Sequence, residues 1–397
     1  MSAAKLARPI LLSIVLAAAC SAQSTWQPRI VNLTASDGTI LKASYFAAAR
    51  PGPGVLLLHQ CNQQRKSWDV LAQAMNSVGI NVLTVDYRGF GESGGPRFEK
   101  LPPDDEQRVV TETWPGDIDI AFRYLLSQPG VQHDMIGAGG ASCGVNHSVQ
   151  LARRHAEVKA LMLLSGGTNR DGRLFLQATN RLPVFTAGAD DDEFGDLTEV
   201  MQWLFSISPN PASRFERYST GGHGAAMFTP HAELPNLIAR WFQAALGGKP
   251  DAVPSTNGSR LPPAQVRALE QIDQPGGASK AGKMLADARE QDPGANIFPE
   301  FLVNLLGYEH LRLGDSKAAI EIMQLNVTAF PDSPNAYDSL SDAYLADGQK
   351  ELARTQAKTA LELLAKDNHD TEQRRKAIQE SAEGKLKQLA DQTTHRQ

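Results

Sequence analysis

Cysteine is scarce in this chain, with three in 397 residues: Cys20, Cys61 and Cys143. No CxxC pair and no Cys/His spacing of a zinc site is present, so no metal is expected. An excess of positive charge is missing too. Lys and Arg number 39 against 44 Asp and Glu, giving −5, and no basic stripe or basic tail stands out. That excludes a protein built to hold nucleic acid or an anionic membrane surface. What is present is ordinary for a globular protein: 42% hydrophobic and 21% charged residues. Such a chain builds a core without staples or metals, and its length suggests two domains.

The N-terminus differs from the rest. Lys5 and Arg8 precede an apolar run from Pro9 to Ala19, and small residues follow through Ala22. A positive start, a short apolar middle and a small-residue end make a secretory signal. The run is too short to span a bilayer, which takes ~20 apolar residues. An exported protein, periplasmic or extracellular, is therefore expected. Cleavage after Ala22 releases a soluble chain; cleavage before Cys20 leaves a lipid anchor there as the alternative.

From Trp26 to about Leu246, short β-rich runs alternate with helical stretches. The runs are Ile30–Thr34, Ile40–Phe46, Gly54–His59, Ile80–Asp86, Asp134–Gly139, Lys159–Ser165, Leu182–Gly188 and Arg214–Ser219. Asp37-Gly38 sits between the first two as a hairpin turn. Later runs such as Val55–Leu58 and Leu161–Leu164 are almost wholly apolar, as strands covered on both faces must be. Helices are expected at Trp68–Val78, Asp117–Leu126 and Val145–Arg154. The fold class is α/β, with about eight strands, the first hairpin antiparallel and the rest mostly parallel.

The chemistry concentrates at the C-terminal ends of these strands, where open α/β sheets place their ligands. Gly140-Ala141-Ser142-Cys143-Gly144 is a G-x-S-x-G that follows a strand and opens a helix. The sharp turn lifts the serine above the sheet, and the flanking glycines let neighbouring backbone approach. A serine needs a base oriented by an acid. His223 is the one histidine of nine in a Gly-flanked loop, Gly221-Gly222-His223-Gly224, after a late strand. His133, His147, His155 and His231 fall on helices or their flanks and read as surface or packing residues. The acid comes from the run Asp190-Asp191-Asp192-Glu193. Asp191 is assigned, with Asp190 as the alternative. Two backbone N–H groups are needed to bind an oxyanion. One is expected from Cys143 and the other from Gln60 or Cys61. That brings Cys61 and Cys143 close together, as a disulfide in an oxidising compartment or as two buried thiols.

Residues 27–245 resemble the α/β-hydrolase superfamily, and within it the dienelactone-hydrolase-like branch. The residues that carry the resemblance are His59, the stretch Asp86-Tyr87-Arg88-Gly89-Phe90-Gly91-Glu92-Ser93, the Ser142 elbow, Gly188 three before Asp191, and Gly222-His223-Gly224. It implies an eight-stranded sheet, no cofactor, and an acyl-enzyme mechanism on esters or related small acyl compounds. Dienelactone hydrolase has a cysteine where Ser142 stands, and the Gln60-Cys61-Asn62 loop is not the glycine-rich form of many lipases. No lid domain fits between Ser165 and Leu182. Arg97–Pro115 is the one spare stretch, a small cover over the site. A peptidase of the prolyl-oligopeptidase kind lacks its propeller here.

Gly and Pro punctuate a linker over 247–263, and the composition then turns to Ala, Leu, Glu, Lys and Gln. A period of 34 relates Leu306 to Leu340, Gly314 to Gly348 and Ala319 to Ala353, and resembles the tetratricopeptide repeat. Residues 264–397 are thus expected to be all-α, with a helix at Ser279–Asp292 and a terminal one at Thr371–Asp391. Such repeats present grooves for a protein or peptide partner. An alternative function follows: a partner-binding adaptor in which the hydrolase-like part is a platform.

Overall fold

The computed structural model describes residues 27–249, 256–368 and 370–394. The expected signal segment, residues 1–22, lies outside them. Eight strands form one sheet: β1 (Arg29–Thr34), β2 (Ile40–Phe46), β3 (Gly52–Leu58), β4 (Asn81–Val85), β5 (Val131–Ala141), β6 (Val158–Leu164), β7 (Val184–Ala189) and β8 (Arg214–Tyr218). Their order in space is β1-β2-β4-β3-β5-β6-β7-β8. β2 runs antiparallel to β1 and β4, and every later pairing is parallel. β4 and β7 are buried at every residue, and β3, β5 and β6 along their C-terminal parts. This is why they read as unbroken apolar runs. Gly38, at φ +85°, turns β1 into β2, and the Asp37 side chain accepts the Thr39 N–H.

Seven helices belong to the sheet: α1 (Asp69–Ser77), α2 (Pro103–Arg108), α3 (Trp114–Leu126), α4 (Cys143–Arg154), α5 (Arg170–Ala178), α6 (Leu197–Ile207) and α7 (Leu234–Leu246). One apolar cluster joins α1 and α7 to one face, through Leu71, Met75, Ile238, Trp241 and Phe242. A second joins α3, α4 and α6 to the other face, through Ile118, Phe122, Val149, Val200 and Trp203. The stretch expected as a cover forms α2 and a π-helical turn at Val109–Thr113, and the Phe98 ring packs against Phe90 and Trp114.

Residues 256–258 lie along the edge of β8. The Thr256 hydroxyl accepts the Phe215 N–H, the Asn257 amide oxygen accepts the Arg217 N–H, and the Gly258 N–H donates to the Phe215 carbonyl. Part of the expected linker therefore satisfies an edge strand that is otherwise open to pairing.

Seven more helices follow: α8 (Pro263–Ile272), α9 (Gly277–Gln291), α10 (Glu300–Arg312), α11 (Ser316–Ala329), α12 (Pro334–Ala346), α13 (Lys350–Leu364) and α14 (Glu372–Thr394). α10 and α12 start 34 residues apart, as do α11 and α13. Ala319 and Ala353, one on each of the second helices, are fully buried, where the small side chain permits close helix approach. The core of this region is continuous with that of the sheet, because Leu261, Leu269, Leu302 and Leu306 belong to the cluster that contains Val200 and Trp203. At the junction, the buried Arg173 of α5 donates to both Asp273 carboxylate oxygens at 3.1 and 3.0 Å, and pairs with Glu309 at 2.8 Å.

Candidate active site

Ser142 sits between the end of β5 and the start of α4, with φ +52° and ψ −120°. A non-glycine residue held there costs roughly 1–3 kcal/mol and persists only where its surroundings dictate it. Those surroundings are visible. The Ser142 N–H donates to the Leu164 carbonyl at 2.9 Å, tying the turn to β6. A Cβ on Gly140 would run into the Gly144 carbonyl, and one on Gly144 into the Leu58 carbonyl at the end of β3. One on Gly166 would come within 2.5 Å of the Ser142 carbonyl oxygen. The glycines two residues either side of Ser142 are thus demanded by close approach, and Ser142 itself remains partly exposed.

His223 lies in the loop after β8 and is buried. Its Nδ1 faces both carboxylate oxygens of Asp192, at 3.0 and 2.9 Å. Asp192 is the residue that the structure brings to His223; the expected Asp191 and its alternative Asp190 face elsewhere. The reason lies in where β7 ends. The strand runs to Ala189, and Asp190 continues its ladder by donating its N–H to Tyr218 O. Asp190 is then taken by Arg217 at 3.1 Å. The Asp191 carboxylate accepts the N–H groups of Gly221 and Gly222, each at 2.8 Å, and so shapes the histidine loop from outside. Only at Asp192 has the chain turned inward, and its side chain is fully buried. Its Oδ1 also accepts the Phe194 N–H, and the Phe194 ring lies 4.5 Å from the imidazole while remaining 58% exposed. A signal existed for this register: an arginine two residues before Ser219 on the neighbouring strand is the partner that claims the first aspartate.

Three loops meet at the serine. Gly224, at φ +60°, abuts Ala141: a Cβ there would lie 3.1 Å from the Ala141 Cβ and would strike Gln60 Oε1. Gln60 Oε1 accepts the Ala225 N–H at 3.0 Å, linking the loop after β3 to the histidine loop. That loop is held below by His59, which is fully buried. His59 Nε2 accepts the Tyr87 N–H at 3.1 Å, so Nδ1 carries the proton and donates to Gln60 O at 2.8 Å. Burial holds the His59 pKa down to about 4, so the ring is neutral near pH 7. Cys61 and Cys143 are joined in a disulfide, their Cα atoms 5.9 Å apart. Among the described residues, the backbone N–H groups of Gln60, Cys61 and Cys143 have no hydrogen-bond partner. All three expected oxyanion donors are therefore unspent.

The four histidines expected as surface or packing residues have other partners. His147 is buried against Tyr87 and Trp114, with its pKa held to about 4 by burial. His155 ends α4 and pairs with Asp119, and His231 stacks on Tyr218. His133 stands on β5 rather than on a helix, bonded to Leu126 O. No cluster of His, Cys, Asp and Glu able to hold a metal occurs among the described residues.

A sheet in this strand order, with a strained serine after β5, an aspartate after β7 and a histidine after β8, has one name. This is the α/β-hydrolase fold. A family model described as BAAT / acyl-CoA thioester hydrolase C terminal matches residues 119–203, a span that contains Ser142 and Asp192. Among curated proteins, the chain is similar to the uncharacterized 31.7 kDa protein in the traX-finO intergenic region of Escherichia coli. The two are 27% identical over 161 residues, 38% of this chain and 53% of that one. It is also similar to thiohydrolase aneE of Aspergillus aculeatus, 28% identical over 109 residues, 27% of this chain and 31% of that one. The chain thus spans about half the length of the first of these relatives. Among solved structures, an esterase of Pyrococcus furiosus aligns at TM-score 0.46 and 16% identity, over 56% of this chain and 94% of its own. Est1E of Butyrivibrio proteoclasticus, with ferulic acid bound, aligns at 0.45 and 17%, over 55% of this chain and 100% of its own.

Proposed function

We propose that the chain is an exported serine hydrolase that cleaves carboxylic esters or thioesters through an acyl-enzyme, with Ser142 as nucleophile, His223 as base and Asp192 as the orienting acid. The observation that carries the reading is the His223 Nδ1 contact with both oxygens of Asp192, beside an elbow serine. A carboxylate at Nδ1 keeps the proton on that nitrogen and leaves Nε2 as the basic one. In the proposed reaction Nε2 takes the Ser142 proton as Oγ attacks the acyl carbon. The oxyanion is met by the N–H of Cys143 and by that of Gln60 or Cys61. Collapse expels the alcohol or thiol with the proton from Nε2, and water then releases the acid by the same route.

Thioesters enter the reading because the matched family is described as a thioester hydrolase and one relative as a thiohydrolase. The dienelactone-hydrolase-like branch remains a finer proposal, resting on the residues quoted for it. Export is supported by the Cys61–Cys143 disulfide, since such bonds persist in oxidising compartments. Labelling the folded protein with a fluorophosphonate is expected to place the adduct on Ser142. Ser142→Ala is expected to lower kcat on nitrophenyl esters and acyl thioesters by at least about 10⁴-fold with the fold intact. A folded protein that takes no label, or an active Ser142→Ala, would overturn the assignment.

A further inference from the structure

The mechanism uses the amides of Cys61 and Cys143 but not their side chains, and the side chains are bonded to each other. The bond spans 82 residues of sequence and closes directly across the site. Cys143 follows the nucleophile and is the first residue of α4, where a helix leaves its N–H groups unpaired. Cys61 is the second residue after His59, in a turn whose next three residues, Asn62, Gln63 and Gln64, are exposed. Beneath the bridge the two segments also touch through backbone, Gly144 lying against the Leu58 and His59 carbonyls, while His59 donates to Gln60 O within its own loop. Gln60 is fixed from two sides, by His59 and by Ala225. On the far side of Cys61 the turn is closed by the Gln63 N–H to Gln60 O bond and by Gln60 Nε2 donating to Asn62 Oδ1, and the chain is next anchored at Arg65, whose N–H donates to Asp86 Oδ1. The sulfur bridge is the covalent tie between the two oxyanion-binding segments, and both cysteines are partly exposed.

We propose that the Cys61–Cys143 disulfide is the positioning element of the oxyanion hole, so that the hydrolase reaches full turnover only in its oxidised form. The inference rests on the triad reading above. Its chemistry is simple exchange. A dithiol gives two electrons and two protons to the bond, becomes its own cyclic disulfide, and leaves Cys61 and Cys143 as thiols. The amide of Cys61 then loses its fixed distance from that of Cys143. Donors aimed at an oxyanion act through fixed placement, and losing one costs on the order of 10²–10³ in kcat. A ground-state ester makes little of that contact, so KM should hardly move.

The experiment compares oxidised, dithiothreitol-reduced and reoxidised enzyme, with thiols counted and active sites titrated by fluorophosphonate. The proposal expects kcat per titrated site to fall roughly 30- to 100-fold on reduction, KM to stay within about threefold, and oxidised glutathione to restore activity. A bond serving stability alone would lower the number of titratable sites and leave kcat per site unchanged; that result overturns the proposal. Should the reduced chain lose its fold, the Cys61→Val/Cys143→Ala pair refills the space with apolar atoms and is measured in the same way. Unfolding of that pair as well, or a kcat equal to wild type, also counts against it. If the oxidised protein itself neither turns over esters nor takes label on Ser142, the triad reading has failed first, and the two failures are thereby distinguished.

Discussion

At the scale of single residues the site turns on which of three consecutive aspartates faces the histidine. Asp190 holds an exposed pair with Arg217, Asp191 caps two backbone N–H groups, and Asp192 is buried against His223 Nδ1. The three environments predict three responses to amidation. Asp192→Asn removes the charge that opposes an imidazolium and fixes the tautomer, so kcat should fall by about 10⁴. Asp191→Asn keeps an oxygen in the same place to accept both N–H groups, so activity should stay within a few-fold. Asp190→Asn loses only a surface ion pair, usually worth ~0–1 kcal/mol, and should leave kcat unchanged. Steady-state rates of the three purified variants decide it; a collapse in Asp191→Asn with an active Asp192→Asn would reverse the assignment. The strand-to-helix turn at Ser142 and the loop that carries His223 were legible as places in the fold, because the glycines beside them are required by close approach. The acid was not, because a run of like residues carries no register, and the register depends on one extra residue of β7.

At the scale of elements, α6 is the piece held between the sheet and the helical region, and it carries an ill-placed carboxyl. Glu199 lines a cavity with Phe298, Pro299 and Phe330. Its Oε2 is buried with no partner among the described residues. Burial first, and the nearby Asp196 second, push its pKa up from 4.5 to about 7. The folded state therefore holds this proton more tightly than the unfolded chain does. The stabilisation is complete below about pH 4.5 and is lost as pH rises through about 7. Glu216, beside the Thr256–Gly258 edge and also raised to about 7 by burial, titrates in the same window and direction. Glu199→Gln keeps the neutral shape at every pH. Thermal melts at pH 5 and pH 8 should show the variant close to wild type at the lower pH and more stable than it at the higher. A variant equally destabilised at both would mean that the carboxylate has a partner in the folded state.

At the scale of the whole molecule, the strands were readable and the assembly of the two regions was not. Parallel strands buried on both faces have to be apolar along their length, and the 34-residue period returns small residues to matching helix positions. Helices were expected between the strands, but α5 and α6, between late strands, and α7, after β8, were not given ranges from the sequence. Nothing local pairs Arg173 with Asp273 and Glu309, 100 and more residues away, yet that contact decides how the two regions depend on each other. Cutting the chain after residue 249 would take from Arg173, which lies over Trp203, both of its carboxylates. It would also strip Leu261, Leu269, Leu302 and Leu306 from the shared core, and open the β8 edge that Thr256 and Asn257 now satisfy. Losses at this junction on the scale of a broken buried ion pair, about 3–5 kcal/mol, lower Tm by roughly 10 °C in a domain of this size. The exposed apolar face adds to that and favours association. The fragment is therefore expected to melt at least about 10 °C below the full chain or to aggregate on purification. Replacing Arg173 by Met in that fragment should recover part of the loss, because it removes the orphaned charge. A soluble fragment with the Tm and kcat of the full chain would show instead that the helices are carried by the hydrolase rather than needed by it.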